Sequence, residues 1–373
     1  MDLDKNQIKA VTHSGTPLLV TAGPGSGKTR VITERIKFLI KDEGMDPSEI
    51  LCLTFSENAA TELKDKLEKD DYYIQKKIDL SEMQVSTYHA FCRKLLLENT
   101  SYTGIGMRGG ILDRSLFLVW GVQNIDNFDF DEHVVIGNNA YDIIEKMVDG
   151  ISVFAQELVS PEELEAYVSK KLEKPESITD IDELDYLHQL NNMVKIYKKY
   201  SEFKKSIDVM DYNDLIVESN KLLEDKKFPR ILQSTQKKYK HILIDEFQDN
   251  NFAQFSLIKK ISKDGNVTAV GDADQNIYRF QGAYTQIFED FKKTFPNHTQ
   301  ILLSNNYRNP ENVIKLSAQV LSQDIYREKK KIVSTKVDTV KVNVTECVTQ
   351  FSQVEFVKNK ISELMAKNPS YSF

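Results

Sequence analysis

The chain of 373 residues is expected to fold as an α/β protein built on a parallel sheet, with a helical subdomain inserted into it. Three observations carry that expectation. Short β-rich runs recur and are nearly continuously apolar, helix-compatible stretches lie between several of them, and this rhythm breaks from about residue 96 to 205, where the sequence turns mostly helical.

The β-rich runs are "PLLVTA" (17 to 22), "ILCLTF" (50 to 55), "MQVSTYHAF" (83 to 91), "HILIDEF" (241 to 247), "NVTAVGD" (266 to 272) and "QILLSNN" (300 to 306). Unbroken apolarity suits strands covered on both faces. "KTRVITERIKFLIKD" and "NAATELKDKLEKD" then read as the crossover helices of βαβ units. Inside the break, Ser160 as N-cap, Pro161 at the first helical position and Glu163 closing a capping box predict a helix start. Ile181, Leu184, Leu187, Leu190, Val194 and Tyr197 recur at helical spacing, which predicts an amphipathic helix whose stripe is core. Beyond residue 306 come a basic run, Arg327 to Lys331, then "KVNVTECV" and the helix-like "QFSQVEFVKNKISELMA".

A chain this long exceeds one typical core, so two or more domains are expected. No apolar run approaches the roughly 20 residues of a membrane span, and "MDLDKNQ" lacks the features of a signal peptide, which makes a cytoplasmic protein the expectation. Cys52, Cys92 and Cys347 form no CxxC pair, so a disulfide framework, a zinc site and an iron–sulfur cluster are not expected. A net charge of -7 supplies no global basic field. Nucleic-acid binding would have to rest on a local groove.

Ala22 to Thr29, "AGPGSGKT", fits the frame of a phosphate-binding loop with alanine at the first glycine position. Gly23, Pro24, Gly25, Ser26 and Gly27 lie between a strand and a helix, where backbone N–H groups can turn toward phosphates without obstruction by Cβ. Lys28 would reach the β- and γ-phosphates and the Thr29 hydroxyl would bind Mg²⁺. In "HILIDEFQDNN" an apolar strand brings Asp245 and Glu246 to its C-terminal end, where open α/β sheets bind ligands. Asp245 would hold Mg²⁺ and Glu246 would orient or deprotonate the attacking water. ATP and Mg²⁺ are therefore the expected ligands.

With "LDKNQIKAV" ahead of the loop and "DEFQD" behind it, the chain resembles the UvrD/Rep family of superfamily 1 DNA helicases from residue 3 to about 310. The resemblance implies a RecA-like P-loop NTPase fold and an adenine-reading Gln7, with Arg30 as a further base contact. "LTFSENAATELKDKL" and "VSTYHAFCRKLL" are similar to DNA-contacting motifs, which puts Phe55 and His89 on single-stranded DNA with Thr54 and Thr87 near its backbone. "MDYNDLI" (210 to 216) resembles another family element, to which no catalytic role attaches here. "VGDADQNIYRFQGA" is similar to the coupling motif, with Gln275 sensing the γ-phosphate and Tyr278 and Phe280 offering rings to bases. It departs from the family pattern in placing Gln281 where arginine is usual and Arg279 two positions earlier. "NNYRNPENV" resembles the motif in which Tyr307 would stack on adenine and Arg308 act on the γ-phosphate.

The family clamps ATP between two RecA-like domains, and the second supplies a T-x-H-x-x-K-G-type motif and a further arginine. This chain has no histidine after His298 and no arginine after Arg327. The expected organisation is a motor domain of residues 1–95 plus 206–305, a helical subdomain of 96–205, and the incomplete start of a second RecA-like domain in 306–373. The expectation is thus an ATP-dependent 3′ to 5′ translocase on single-stranded or partly duplex DNA, present as an N-terminal fragment inactive or weakly active on its own and with repair or recombination proteins as partners. Two alternatives are a nucleotide-dependent DNA-binding remnant without unwinding and the helicase subunit of a helicase–nuclease.

Overall fold

The computed structural model describes residues 3–100, 110–130, 139–173, 181–263, 265–276, 284, 286–323, 330–337, 340–368 and 370–371. Strands β1 (Leu18–Ala22), β2 (Ile50–Thr54) and β3 (Gln84–Thr87) are followed by a short parallel pair, β4 (Ile111–Leu112) and β5 (Met210–Asp211). Then come β6 (His241–Ile244), β7 (Val267–Gly271), β8 (Thr299–Leu303), β9 (Asn305–Pro310) and β10 (Val333–Lys336). The central sheet has the order β3-β2-β6-β7-β1-β8, and every neighbouring pair in it is parallel.

The apolar runs are explained by what covers them. Leu19, Leu51, Leu53, Ile242 and Ile244 face one layer, where Phe91, Leu215, Phe247 and Phe255 complete a core. Leu18, Val20, Cys52, Leu243 and Val270 face the other, against Ile32, Ile36, Leu63 and Leu67. Alternate residues of each strand thus enter opposite cores, and each fully buried Leu or Ile contributes roughly 1.5 to 3 kcal/mol. Helix Lys5–Val11 is tied to this body by Arg35, whose buried guanidinium donates to Ala10 O, Val11 O, His13 O and Thr268 Oγ1 at 2.8 to 3.0 Å. Burial lowers the Arg35 pKa to about 10.

Three expected strands stop three or more residues short of the ends of their apolar runs. "MQVSTYHAF" divides at Thr87, whose hydroxyl accepts from Ala90 N and starts helix Tyr88–Glu98. "HILIDEF" stops at Ile244 because Glu246 takes a left-handed conformation, φ 47°, which breaks the ladder. "QILLSNN" divides between β8 and β9. Short apolar runs do not distinguish a strand from a capped helix start.

The helical region builds separate cores. Ser160 and Glu163 close the expected capping box at the start of helix Pro161–Leu172. The expected amphipathic helix runs Ile181–Ser206, and its Leu187, Leu190 and Val194 pack with Leu164 and Val168. Farther along it, Tyr200 stacks on Phe117 with ring centroids 3.4 Å apart. Among the described residues no helix is long and apolar enough to cross a membrane. Cys52 and Cys92 are buried, and burial raises both thiols.

Where that long helix returns to the sheet, Lys204 Nζ lies 2.8 Å from Asp211 Oδ2 and 2.6 Å from Asp214 Oδ2. Burial works to lower the Lys204 pKa, but the two carboxylates outweigh it and hold it above the ordinary lysine value. Burial, followed by the neighbouring Asp211, pushes Asp214 up to about 6.

Lys204→Met strands two carboxylates in a nearly closed site, and a loss of about 3 kcal/mol is expected by urea denaturation. The triple variant Lys204→Met, Asp211→Asn, Asp214→Asn should recover most of it, because asparagine still caps helix Tyr212–Glu224. Asp214 binds its proton more tightly folded than unfolded. Its contribution to stability is therefore full below pH 3.8 and lost as pH rises through about 6, and Asp214→Asn should remove that slope from a stability-versus-pH series.

Candidate nucleotide and nucleic-acid site

A parallel sheet sends the C-terminal ends of all its strands to one edge. There β1 runs into Gly23–Gly27, β2 into Phe55, β3 into His89, β6 into Asp245 and Glu246, β7 into Asp272 to Gln275, and β8 into β9. Most of the residues singled out in the sequence therefore share an edge.

The loop after β1 holds itself by Ser26 Oγ donating to Gly23 O at 2.8 Å. Gly27, at φ 85°, precedes helix Lys28–Lys41 without any side-chain cap. The first-turn N–H groups and the helix dipole are thereby left for an anion, and Thr29 and Arg30 lie in that turn. Gly25, at φ 66°, is approached so closely that an added Cβ would stand 2.5 Å from Arg308 Cβ. β9 lies against the loop, with Tyr307 N donating to Gly25 O at 2.9 Å and Asn306 Nδ2 to Pro24 O at 2.5 Å.

Helix Lys5–Val11 closes the other side. Asp4 Oδ1 caps it, while Asp4 Oδ2 accepts from Tyr307 Oη at 2.7 Å and from Asn305 Nδ2 at 3.0 Å. Gln7 is buried; its Oε1 accepts from Asp4 N, and its Nε2 donates to Ser26 O at 2.9 Å. Its amide thus braces the phosphate loop, and with one bond at each end it keeps a second N–H and a second lone pair for a base.

Lys28 Nζ sits 3.2 Å from Glu246 Oε2, across the ends of β1 and β6. The same carboxylate oxygen accepts from Gln248 Nε2 at 2.9 Å. Asp245 is buried beside it, and burial followed by the Glu246 charge pushes it up to about 6; Asp249 reaches about 6 for the same two reasons. Three acids around one lysine leave negative charge that a divalent cation would offset. Thr29 and Asp245 supply hard oxygen donors of the type Mg²⁺ takes, and the residues present fit that ion. Among the described residues no group of three or more His, Cys, Asp or Glu is placed to hold a metal alone, so phosphate oxygens would complete the coordination.

Gln275 Nε2 donates to Asp272 Oδ2 at 2.6 Å. Tyr278 and Phe280, with Arg279 and Gln281, lie outside the described residues. On the far side, Thr54 and Thr87 are register partners, and Phe55 is 40% exposed. Thr54 donates to Ser56 O within its own turn, and Thr87 donates to Glu57 Oε1, which ties the end of β3 to the start of helix Glu57–Glu68. His89 is mostly buried, and burial lowers its pKa.

Sequence reasoning missed two residues here. Tyr212, half-exposed, meets His89 edge-on with centroids 5.5 Å apart and adds a ring to this face. Asp4 binds both the glutamine helix and Tyr307; the D-x-x-Q spacing of a capping box was its available signal.

Residues 3–296 match the family model described as UvrD/REP helicase N-terminal domain. The chain is similar to the "ATP-dependent DNA helicase PcrA" of Bacillus subtilis (strain 168), at 29% identity over 97% of this chain and 45% of the relative. It is also similar to the "Probable DNA helicase II homolog" of Mycoplasma capricolum, at 31% identity over 99% of this chain and 48% of the relative. The PcrA of Staphylococcus aureus (strain Mu50) is 29% identical over 99% of this chain and 46% of its own length. The chain spans about half the length of the curated relatives it matches. On a parallel sheet whose phosphate loop, acidic pair and Tyr-Arg strand meet at one edge, a family match over most of the chain places this protein in the UvrD/REP helicase N-terminal domain family.

Proposed function

We propose that the chain is the N-terminal motor portion of an ATP-dependent DNA helicase that moves 3′ to 5′ on single-stranded DNA in the cytoplasm, with repair or recombination proteins as partners. The observation that carries this reading is the Lys28–Glu246 contact at the sheet edge to which β2 also delivers the exposed Phe55. Residues 1–95 and 206–305 form the motor domain in this reading and 96–205 the helical subdomain. Residues 306–373 begin a second RecA-like domain. Helix Gln350–Lys367 leaves Phe351, Val354, Phe356 and Val357 exposed, a face that the remainder of such a domain would cover.

The geometry suggests how hydrolysis is gated. Lys28 Nζ contacts Glu246 Oε2, the same oxygen that Gln248 holds. Phosphates seated on the loop amides draw the ammonium away, and Glu246, still held by Gln248, is released to orient water and accept its proton. Tyr307 frames the adenine and Arg308, exposed on β9, reaches the γ-phosphate from the opposite side. Thr29 and Asp245 would hold Mg²⁺, whose charge neutralises the phosphate oxygens when it is bound. Phe55, His89 and Tyr212 offer faces and edges on which bases of any sequence can stack.

Lys28→Ala should weaken binding of a fluorescent ATP analogue about tenfold or more in a chain that still folds by circular dichroism, since the ammonium meets Glu246 at the sheet edge and not the apolar core. Undiminished binding would remove the loop from the account. Tyr212→Ala and Phe55→Ala should each weaken binding of a labelled single-stranded oligonucleotide by about 1 to 3 kcal/mol in anisotropy titrations. If both variants bind as well as the parent while folded, DNA runs elsewhere.

A further inference from the structure

The basic run Arg327 to Lys331 has no part in the account so far. Its described end enters the protein interior: Lys330 Nζ lies 2.8 Å from Asp272 Oδ1 and 3.7 Å from Asp274 Oδ2, with the Lys330 and Asp272 side chains 2% and 0% exposed. A lysine so buried is expensive to place unless its charge is needed there. Two residues on, the Ile332 side chain lies over the loop, so close that a Cβ at Gly23 would stand 2.9 Å from its Cδ1. Next, Val333 N donates to Ser304 O at 2.8 Å, and β10 pairs with β9, the strand carrying Tyr307 and Arg308. Thr335 Oγ1 donates to Asn306 O and Ser334 Oγ to Asn309 O, so the two strands move together.

Asp272 is itself linked to the phosphate loop. Its N–H donates to Gln248 Oε1 at 2.8 Å, Gln248 Nε2 donates to Glu246 Oε2 at 2.9 Å, and Glu246 meets Lys28 at 3.2 Å. A continuous chain of cation, acid, amide, acid and cation therefore joins Lys28 to Lys330. Its inner members leave little freedom: Gln248 is 2% exposed, and both ends of its amide are engaged.

We propose that Lys330 is a positioning residue for nucleotide recognition: its ion pair with Asp272 latches β10, and through it the Arg308-bearing β9, over the phosphate loop. The inference rests on the nucleotide-site reading above. The latch sets how closely Arg308 approaches the terminal phosphate, so it governs discrimination between tri- and diphosphate more than total affinity. The chain through Gln248 and Glu246 makes the latch sensitive to whether Lys28 is paired with Glu246 or with a phosphate.

The test is fluorescence titration of the 373-residue chain with mant-labelled, non-hydrolysable ATP analogue and mant-ADP. Lys330→Met is compared with Lys330→Arg, with Lys330→Met, Asp272→Asn, and with Lys28→Ala, folding being checked by circular dichroism. Lys330→Met should raise the triphosphate dissociation constant about tenfold and the diphosphate constant less than about threefold, and Lys330→Arg should restore the ratio. A folded Lys330→Met with the parent's ratio overturns the latch. If that variant does not fold because Asp272 is left unpaired, the double variant decides: loss of the ratio supports the latch, and an unchanged ratio overturns it. If Lys28→Ala binds both analogues like the parent, the nucleotide-site reading fails and takes the latch with it. Loss of binding in Lys28→Ala beside an unchanged ratio in Lys330→Met defeats the latch alone.

Discussion

The parallel alignment of six strands is the constraint on which everything else depends. It requires a crossover after each strand, covers both faces, and delivers every strand's C-terminal end to the same edge. A phosphate loop after β1 and an acidic pair after β6 are far apart in sequence and not adjacent in the sheet, for β7 lies between them. They still meet, because Lys28 and Glu246 both project past the strand ends. The hydrophobic packing of the two faces holds the polar edge rigid, and the edge contributes little to the packing in return.

Negative charge is concentrated at that edge. Asp245, Glu246 and Asp249 crowd around one lysine, and the raised pKa values of Asp245 and Asp249 record the cost of burial without enough compensation. Anionic phosphates would attract Lys28, while an accompanying cation would relieve the acids. Gln7 and β9 hydrogen-bond to the loop and Asp4 ties Tyr307 of β9 to the helix that carries Gln7, so the loop's glycines are pressed from outside as well as curved within.

Much of this was legible in the sequence, for physical reasons that also explain what was not. Runs such as "ILCLT" show their strands because both faces are buried, and "AGPGSGKT" shows its loop because glycine is needed for Gly25 and Gly27 at positive φ. Boundaries failed where one polar atom decides them, as with Thr87 capping a helix inside an apolar run. Partnerships were less visible than residue types. The resemblance assigns Gln7 and Gln275 to nucleotide, and it does not show that their amides also meet Ser26 and Asp272; nor does the basic run of 327–331 show that the Lys330 side chain is buried against Asp272. The Lys330–Asp272 and Asp4–Tyr307 pairings, 58 and 303 residues apart, follow from the topology of the sheet, which no local pattern records.

A cavity of about 360 Å³, lined in part by Tyr197, Lys204, Asp214 and Lys221, lies in the helical region and away from the phosphate loop. The central claim is that nucleotide binds between the loop and β9 instead. Photolabelling with 8-azido-ATP, followed by mass-spectrometric mapping of the adduct, tests this most directly. The account requires labelling within residues 4–7, at Arg30 or at Tyr307, suppressed by excess ATP. Competable labelling confined to residues 158–221 would contradict it.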